Sequence, residues 1–196
     1  MSPGGARMPG MRNRGPFADQ VLINADGLRL SWREPCAESR YAGSVITWRQ
    51  VRDAVPGGWP PWLRLRDGRV IFVARGHHEE LAAAAAAAGV TAYRPFEYDA
   101  WTDLLQPFAD TDYELARAAC EERLRAHGFT DEEVAAIRRR VSRRMRLLTF
   151  ATWEWGGYGQ SDLLLATLPV PEIRYLRFRQ WTDVIASRPG PPAALA

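Results

Sequence analysis

The stretch from Thr130 to Trp155 constrains the fold most, because it specifies both where a helix begins and which face of that helix is buried. Thr130 and Glu133 have the Thr-x-x-Glu spacing of a capping box, and acids fill the first turn, where the helix dipole favours negative charge. Mostly apolar residues then recur at spacings of three and four, which places them on one stripe: Val134, Ile137, Val141, Met145, Leu148, Thr152 and Trp155. The pattern predicts a long amphipathic helix from Asp131 to about Trp155.

The polar side of this predicted helix carries six arginines in nine residues: Arg138, Arg139, Arg140, Arg143, Arg144 and Arg146. All 26 basic residues of the chain are arginine, and guanidinium groups favour bidentate contacts with carboxylate or phosphate. The net charge of +3 comes from Arg7, Arg12 and Arg14 in an acid-free N-terminal segment, so the remainder of the chain is neutral. An acidic segment, residues 97–127, directly precedes the basic one.

The arginine run has several interpretations, and the sequence leaves them open. A helix-turn-helix from Asp112 to Arg146 would bring arginines to DNA phosphates or guanine edges, but a neutral body gives little counterion-release affinity. Alternatively, the arginines form a solvated face paired with carboxylates of the acidic segment, or contact a protein or an anionic lipid. We expect a non-enzymatic binding or regulatory protein that acts through a protein partner, with DNA or RNA binding through the six arginines as the alternative.

Two Asp-Gly pairs predict β-hairpins in the first half of the chain. A turn at Asp26-Gly27 pairs Ala25 with Leu28, Ile23 with Leu30 and Val21 with Trp32. A turn at Asp67-Gly68 pairs Leu65 with Val70 and Leu63 with Phe72, and it directs Arg64 and Arg66 away from that apolar face. Both hairpins then present one apolar face, which predicts a half-buried antiparallel sheet.

The remaining elements complete an α+β prediction, with a β-rich N-terminal module at 17–96, a helical module at 97–187 and disordered tails at 1–16 and 188–196. The predicted elements outside the hairpins are a strand at Ser44–Trp48, a short turn or helix capped by Thr47, and helices at Glu79–Ala88, Glu97–Gln106, Asp112–Ala126 and Glu172–Ser187. Gly89 is expected to end the first of these helices in a left-handed conformation.

The order of these motifs resembles small bacterial domains with a pleckstrin-homology-like fold. The residues that carry the resemblance are Asp26-Gly27-Leu28, Ile46 to Val51, Leu65 to Arg69 and Glu79-Glu80-Leu81. The resemblance covers residues 17–92 and implies a β-sheet capped by a C-terminal helix. It also implies binding of proteins, peptides or lipid headgroups and no catalysis.

The segment 153–162 carries the third hypothesis, an enzyme. Trp153, Glu154, Trp155, Tyr158 and Asp162 surround a glycine-rich stretch. Two carboxylates in an aromatic pocket could separate their pKa values for acid–base chemistry. No histidine or cysteine accompanies them, and completion of the core is the simpler interpretation.

Other features predict structure more than chemistry. His77 and His78 point about 100° apart on a helix and converge poorly on one ion, so we expect no metal and no cofactor. Cys36 and Cys120 are expected to be buried free thiols. Arg174, Arg177 and Arg179 alternate with aromatic residues, which suits stacking on single-stranded bases or, as we expect, an amphipathic helix with snorkelling arginines. No signal-like segment or membrane-length apolar stretch occurs, which predicts a cytoplasmic location.

Overall fold

Strands in the N-terminal half and helices in the C-terminal half give an α+β fold, which confirms the predicted class. The computed structural model describes residues 16–92, 100–109, 113–152, 157–167 and 170–188, with the side chains of 150–152 excepted. The first sheet is antiparallel, in the order β1 (Gln20–Asn24), β2 (Gly27–Ser31) and β3 (Val45–Thr47). Helix α1 (Ala37–Ala42) lies between β2 and β3 in the chain.

The second sheet has four strands in the order β6-β5-β4-β7. Strands β4 (Val51–Val55), β5 (Trp62–Leu65) and β6 (Val70–Phe72) form an antiparallel meander. Helix α2 (His78–Ala87) then returns the chain to β7 (Thr91–Ala92), which pairs parallel to β4. A parallel partner requires such a crossover, and α2 provides it.

This second sheet is the middle layer of the molecule, because both of its faces are buried. Leu63, Leu65 and Ile71 pack with residues of the first sheet and α2 in one hydrophobic core. Trp62 and Phe72 belong to a second core, which is built mainly by the C-terminal helices. The predicted boundary between residues 96 and 97 therefore runs through a shared core, although the division into two modules stays a prediction.

Five α-helices of the C-terminal half are described: α3 (Ala100–Leu105), α4 (Tyr113–Ala126), α5 (Asp131–Thr152), α6 (Gln160–Leu165) and α7 (Glu172–Ala186). Four of them match predicted helices, and α6, like α1, was not predicted. Short helices bury too few periodic positions to stand out in a sequence. Among the described residues, no helix has the length and apolar character needed to cross a membrane.

The first hairpin differs from the prediction in its pairing but not in its faces. The turn consists of Ala25 and Asp26, so Ile23 pairs with Leu28 and Val21 with Leu30. Asn24 explains the shift, because its side-chain oxygen accepts hydrogen bonds from the backbone N–H groups of Asp26, at 3.0 Å, and Gly27, at 3.1 Å. A slide of two residues preserves the alternation, so Ile23, Leu28 and Leu30 of the predicted apolar face are still buried, whereas Ala25 is exposed in the turn.

The predicted register of the second hairpin is wrong by one residue. The loop has three residues, Arg66 to Gly68, and the Leu65 N–H donates to the Arg69 carbonyl at 2.8 Å. Gly68 has φ +90°, which suits the left-handed position of a three-residue loop. Leu63 therefore faces one core and Phe72 the other.

Arg64 also corrects the half-buried sheet prediction for this hairpin. It does point away from Leu63 and Leu65, but into the second core, where it is 6% exposed. Its Nε donates to Oδ1 of Asp53 at 2.6 Å, and its guanidinium lies near the Trp62 ring. Alternation could not reveal this because a sheet buried on both faces has apolar residues on both.

Candidate binding surface on helix α5

Helix α5 begins where the sequence predicted. The Thr130 N–H donates to Oε2 of Glu133 at 3.0 Å, and the Glu133 N–H donates to Oγ1 of Thr130 at 3.2 Å, which is a complete capping box. The predicted stripe is buried at Val134, Ile137, Val141 and Met145 and partly buried at Leu148. The arginine face, defined as Arg138, Arg139, Arg140, Arg143, Arg144 and Arg146, therefore lies on the other sides of the helix.

Arg138 is a structural member of this face. It is half-buried, and its guanidinium donates to the backbone carbonyls of Leu104 and Asp103, both at 3.2 Å. These carbonyls belong to the end of α3, where unpaired backbone acceptors favour a cation. Arg138 thus joins α5 to α3 and contributes little to an outer surface.

Arg140 and Arg144 are held by aromatic rings of α7. The Arg140 guanidinium carbon lies 3.9 Å from the centroid of Trp181, and that of Arg144 lies 4.6 Å from the centroid of Phe178. The two rings are themselves in contact, with centroids 5.3 Å apart, and buried Trp101 contacts Trp181 edge to face, with centroids 5.6 Å apart. In such a contact the flat face of the guanidinium group lies on the ring. Its N–H groups point outward along the edge of the guanidinium plane.

The remaining arginines, Arg139, Arg143 and Arg146, are exposed. Leu147 lies one helical turn after Arg143 and is 66% exposed. An exposed leucine beside exposed guanidinium groups makes this surface mixed in character, with both apolar and cationic contacts available.

No carboxylate neutralises the arginine face within the residues that the structure describes. Two acids of α4 are paired with arginines of the same helix: Glu121 with Arg117 at 2.9 Å and with Arg125 at 3.6 Å, and Glu114 with Arg117 at 3.9 Å. Asp103 of α3 accepts two hydrogen bonds from Arg123, at 2.9 and 2.5 Å. Where the acidic segment is described, its carboxylates therefore do not compensate the arginines of α5.

The electrostatics of Arg144 reflect this lack of compensation. Partial burial lowers the pKa of its guanidinium, and the like charge of Arg140 one turn earlier lowers it further. Arg144 also donates to the Arg140 carbonyl at 3.5 Å, a long contact. Within the described residues, aromatic rings and one backbone carbonyl are what these two cations contact.

The N-terminal turn of α5 does not suit a helix-turn-helix. Recognition helices of that class contact bases through their N-terminal residues. In this chain those residues are acids, and two of them are engaged: Asp131 with Arg125 at 3.0 Å and Glu133 with Arg188 at 2.7 Å. A negatively charged helix start would repel the phosphate backbone.

The predicted pocket at 153–162 is only partly described. Trp153, Glu154 and Trp155 lie outside the described residues. Tyr158 is 3% exposed and belongs to the second core, and its hydroxyl has no hydrogen-bond partner among the described residues. Asp162 accepts the Gly159 N–H at 2.8 Å and so caps α6. The described part of this segment serves packing and capping.

The arginines of α7 correct one sequence prediction. Arg174 and Arg177 are exposed, in keeping with snorkelling, but Arg179 is wholly buried. Its Nε donates to Oε1 of Glu38 at 3.0 Å, and it also pairs with Asp183. The sequence could not reveal this site because Glu38 lies far away in the chain.

Other candidate groups form no further site among the residues described. No cluster of three or more histidine, cysteine, aspartate or glutamate side chains there is arranged to hold a metal ion. His77 instead contacts Glu80 at 3.0 Å. Both cysteines are free, with Cys120 buried as predicted and Cys36 only half-buried.

Comparisons of the chain with protein-family models, curated proteins and solved structures find no significant match. The pleckstrin-homology-like resemblance of residues 17–92 therefore stays a prediction. The fold and the arginine face together define the class of the protein: an α+β protein with a cationic helix surface that no carboxylate of the described residues neutralises.

Proposed function

We propose that this protein is a non-enzymatic binding protein whose arginine face receives an acidic segment of a protein partner. One observation carries the proposal: the arginines of α5 have no carboxylate partner in the described structure, whereas α4 pairs Arg117, Arg123 and Arg125 with acids. Complementary charge across an interface steers encounter and sets orientation. A cytoplasmic location belongs to the same proposal.

The apolar and aromatic groups within this surface favour a protein over a nucleic acid. Tryptophan and arginine dominate the energetic centres of protein interfaces, and Trp181 with Arg140 provides both at one place. Exposed Leu147 gives a partner an apolar contact that a phosphate backbone does not need. The acidic start of α5 further disfavours insertion into a groove.

DNA or RNA binding is the second candidate, supported by the same exposed guanidinium groups. Phosphate contacts by arginines need no sequence-specific geometry, and their affinity falls steeply with salt. The two candidates therefore differ in which competitor, acidic peptide or nucleic acid, displaces a bound probe. They also differ in how steeply the binding affinity falls with salt concentration.

The test is a binding titration of the full chain with two fluorescent probes, an acidic peptide of ten residues with alternating glutamate and leucine, and a DNA oligonucleotide of equal charge. We expect the peptide to bind more tightly than the DNA at physiological salt. Replacement of Arg139, Arg143 and Arg146 by glutamine should weaken peptide binding by at least about tenfold, since charge-assisted contacts are the strong ones.

The matched control replaces Arg29, Arg33 and Arg49 by glutamine, which removes the same charge from exposed positions of the N-terminal half. This variant should bind the peptide almost as the parent does. Equal losses in both triple variants would show a nonspecific charge effect and overturn the proposal. Tighter binding of the DNA, lost only in the α5 variant, would replace it with the nucleic-acid function.

A further inference from the structure

The guanidinium groups of Arg140 and Arg144 differ from the rest of the arginine face, because both lie on aromatic rings of α7. Each lies over an aromatic ring of α7, at 3.9 Å from Trp181 and 4.6 Å from Phe178. The two rings are in contact, with centroids 5.3 Å apart, and the charge of Arg140 acts on Arg144. Residues four apart also share one face of a helix.

This pair is electrostatically unfavourable without a counterion. Like charges one helical turn apart repel, and partial burial of Arg144 weakens the solvation that would screen them. Within the described residues, no carboxylate lies in ion-pair contact with either side chain. An anion with more than one negative charge and several acceptor oxygens would relieve the repulsion.

The donors of the pair remain available for such an anion. Stacking on a ring uses the face of the guanidinium group and leaves its N–H groups at the edge. The only hydrogen bond from Arg144 in the described structure is the contact of 3.5 Å with the Arg140 carbonyl. Two guanidinium groups on one helix face can each donate two parallel hydrogen bonds to one tetrahedral oxyanion.

We propose that Arg140 and Arg144, held on Trp181 and Phe178, form a clamp for a phosphoryl group on the protein partner. This inference rests on the proposed function and names the chemistry of the partner. A phosphorylated serine or threonine carries close to two negative charges and three strong acceptor oxygens, whereas a glutamate carries one charge on two oxygens. Arginine clusters are a recurring solution for phosphopeptide recognition.

The experiment compares three fluorescent peptides of one acidic, leucine-containing sequence that differ at a central position: phosphoserine, glutamate and serine. Binding to the full chain is measured by anisotropy at pH 7.5 and at pH 5. We expect the phosphoserine peptide to bind at least about tenfold more tightly than the glutamate peptide at pH 7.5, as an added charge-assisted bond would give. This advantage should shrink at pH 5, below the second phosphate pKa of about 6.

Arg144→Gln should abolish the advantage of the phosphoserine peptide. The matched control is Arg143→Gln, which removes an exposed arginine without a ring contact among the described residues. The control should weaken the phosphoserine and glutamate peptides by the same factor. Inorganic phosphate is added as a competitor at the same concentration as the phosphoserine peptide. Displacement of the peptide would show that the clamp binds the free anion. Retention of the peptide would show that the clamp also needs peptide contacts.

Several outcomes would overturn the clamp. The first is equal affinity for the phosphoserine and glutamate peptides. The second is an equal effect of Arg143→Gln and Arg144→Gln on the ratio of these two affinities. The third is stronger competition by duplex DNA than by unlabelled phosphopeptide. The proposed function fails separately, when the glutamate peptide binds equally well to the parent and to the variant lacking Arg139, Arg143 and Arg146.

Discussion

Arg179 donates from its Nε to Oε1 of Glu38 at 3.0 Å, across 141 positions of the chain. Both side chains are buried, and the same guanidinium group also bonds Asp183 and the Val70 carbonyl. One cation thus connects α7, α1 and strand β6. Tyr41 adds a hydrogen bond of 2.6 Å to Asp183, so the carboxylates at this junction share several donors.

Arg179→Met is predicted to destabilise the fold strongly. The substitution leaves Glu38 and Asp183 buried without their cation, and removal of one partner from a buried ion pair costs about 3–5 kcal/mol. The free energy of unfolding in urea, followed by tryptophan fluorescence, measures the effect. Arg177→Met, on the exposed side of the same helix, should change it by less than about 0.5 kcal/mol. Similar values for both variants would contradict a structural role for the buried cation.

Glu133 is predicted to make stability fall in acid. The hydrogen bonds from Arg188 and from the Thr130 N–H lower the pKa of Glu133 from 4.5 to about 2. Because the folded pKa lies below the unfolded one, the carboxylate stabilises the fold above pH 4.5, and this contribution is lost as pH falls towards 2. Glu133→Gln keeps a capping side chain but not the charge. Its unfolding free energy should therefore lie below that of the parent at pH 6, and the difference should shrink by pH 3.

The control for this prediction is Glu132→Gln, which removes an exposed charge from the same turn. Its difference from the parent should depend less on pH. A constant difference for Glu133→Gln between pH 6 and pH 3 would contradict the lowered pKa.

Gly27→Ala is predicted to disrupt the first sheet. Gly27 has φ +150°, and an added Cβ would lie 2.0 Å from the Ile46 carbonyl oxygen on the neighbouring strand. Backbone strain alone costs about 1–3 kcal/mol, and the steric overlap adds to it. Gly68→Ala provides the comparison, since its φ is +90° but no atom lies within 4 Å of its added Cβ. Thermal unfolding should show a clearly larger decrease in melting temperature for Gly27→Ala than for Gly68→Ala. Equal decreases would mean that strand β3 moves to accommodate the added Cβ without loss of stability.

The contact between Arg140 and Trp181 is predicted to be measurable as a coupling energy. A double-mutant cycle with Arg140→Gln and Trp181→Leu should give about 0.5–1 kcal/mol, the range of a cation–π contact at an exposed site. Urea unfolding of the four proteins provides the values. Trp181→Leu alone should cost more, because this ring also contacts Trp101 and Phe178. A coupling near zero would show that Arg140 is not held by the ring.

Local patterns predicted the parts of the fold that depend on neighbouring residues. The start of α5 at Asp131 follows from a hydrogen-bond exchange between Thr130 and Glu133, three residues apart. The short 3-10 helix after Thr47 is capped in the same way, by Gln50. Hairpin pairing was less secure, since one additional loop residue, Arg66, moved Leu63 and Phe72 to opposite faces of the sheet.

The arginine face shows the same division. The sequence alone determined that a capped helix with a buried apolar stripe carries six arginines on its other sides, because helical geometry places them there. Only the tertiary structure decided which of these arginines are engaged: Arg138 meets the end of α3, and Arg140 and Arg144 meet the rings of α7. It also decided that Arg179 is buried, because its carboxylate Glu38 comes from the other half of the chain. Contacts of this range depend on how the layers pack, and no pattern within a few residues contains that information.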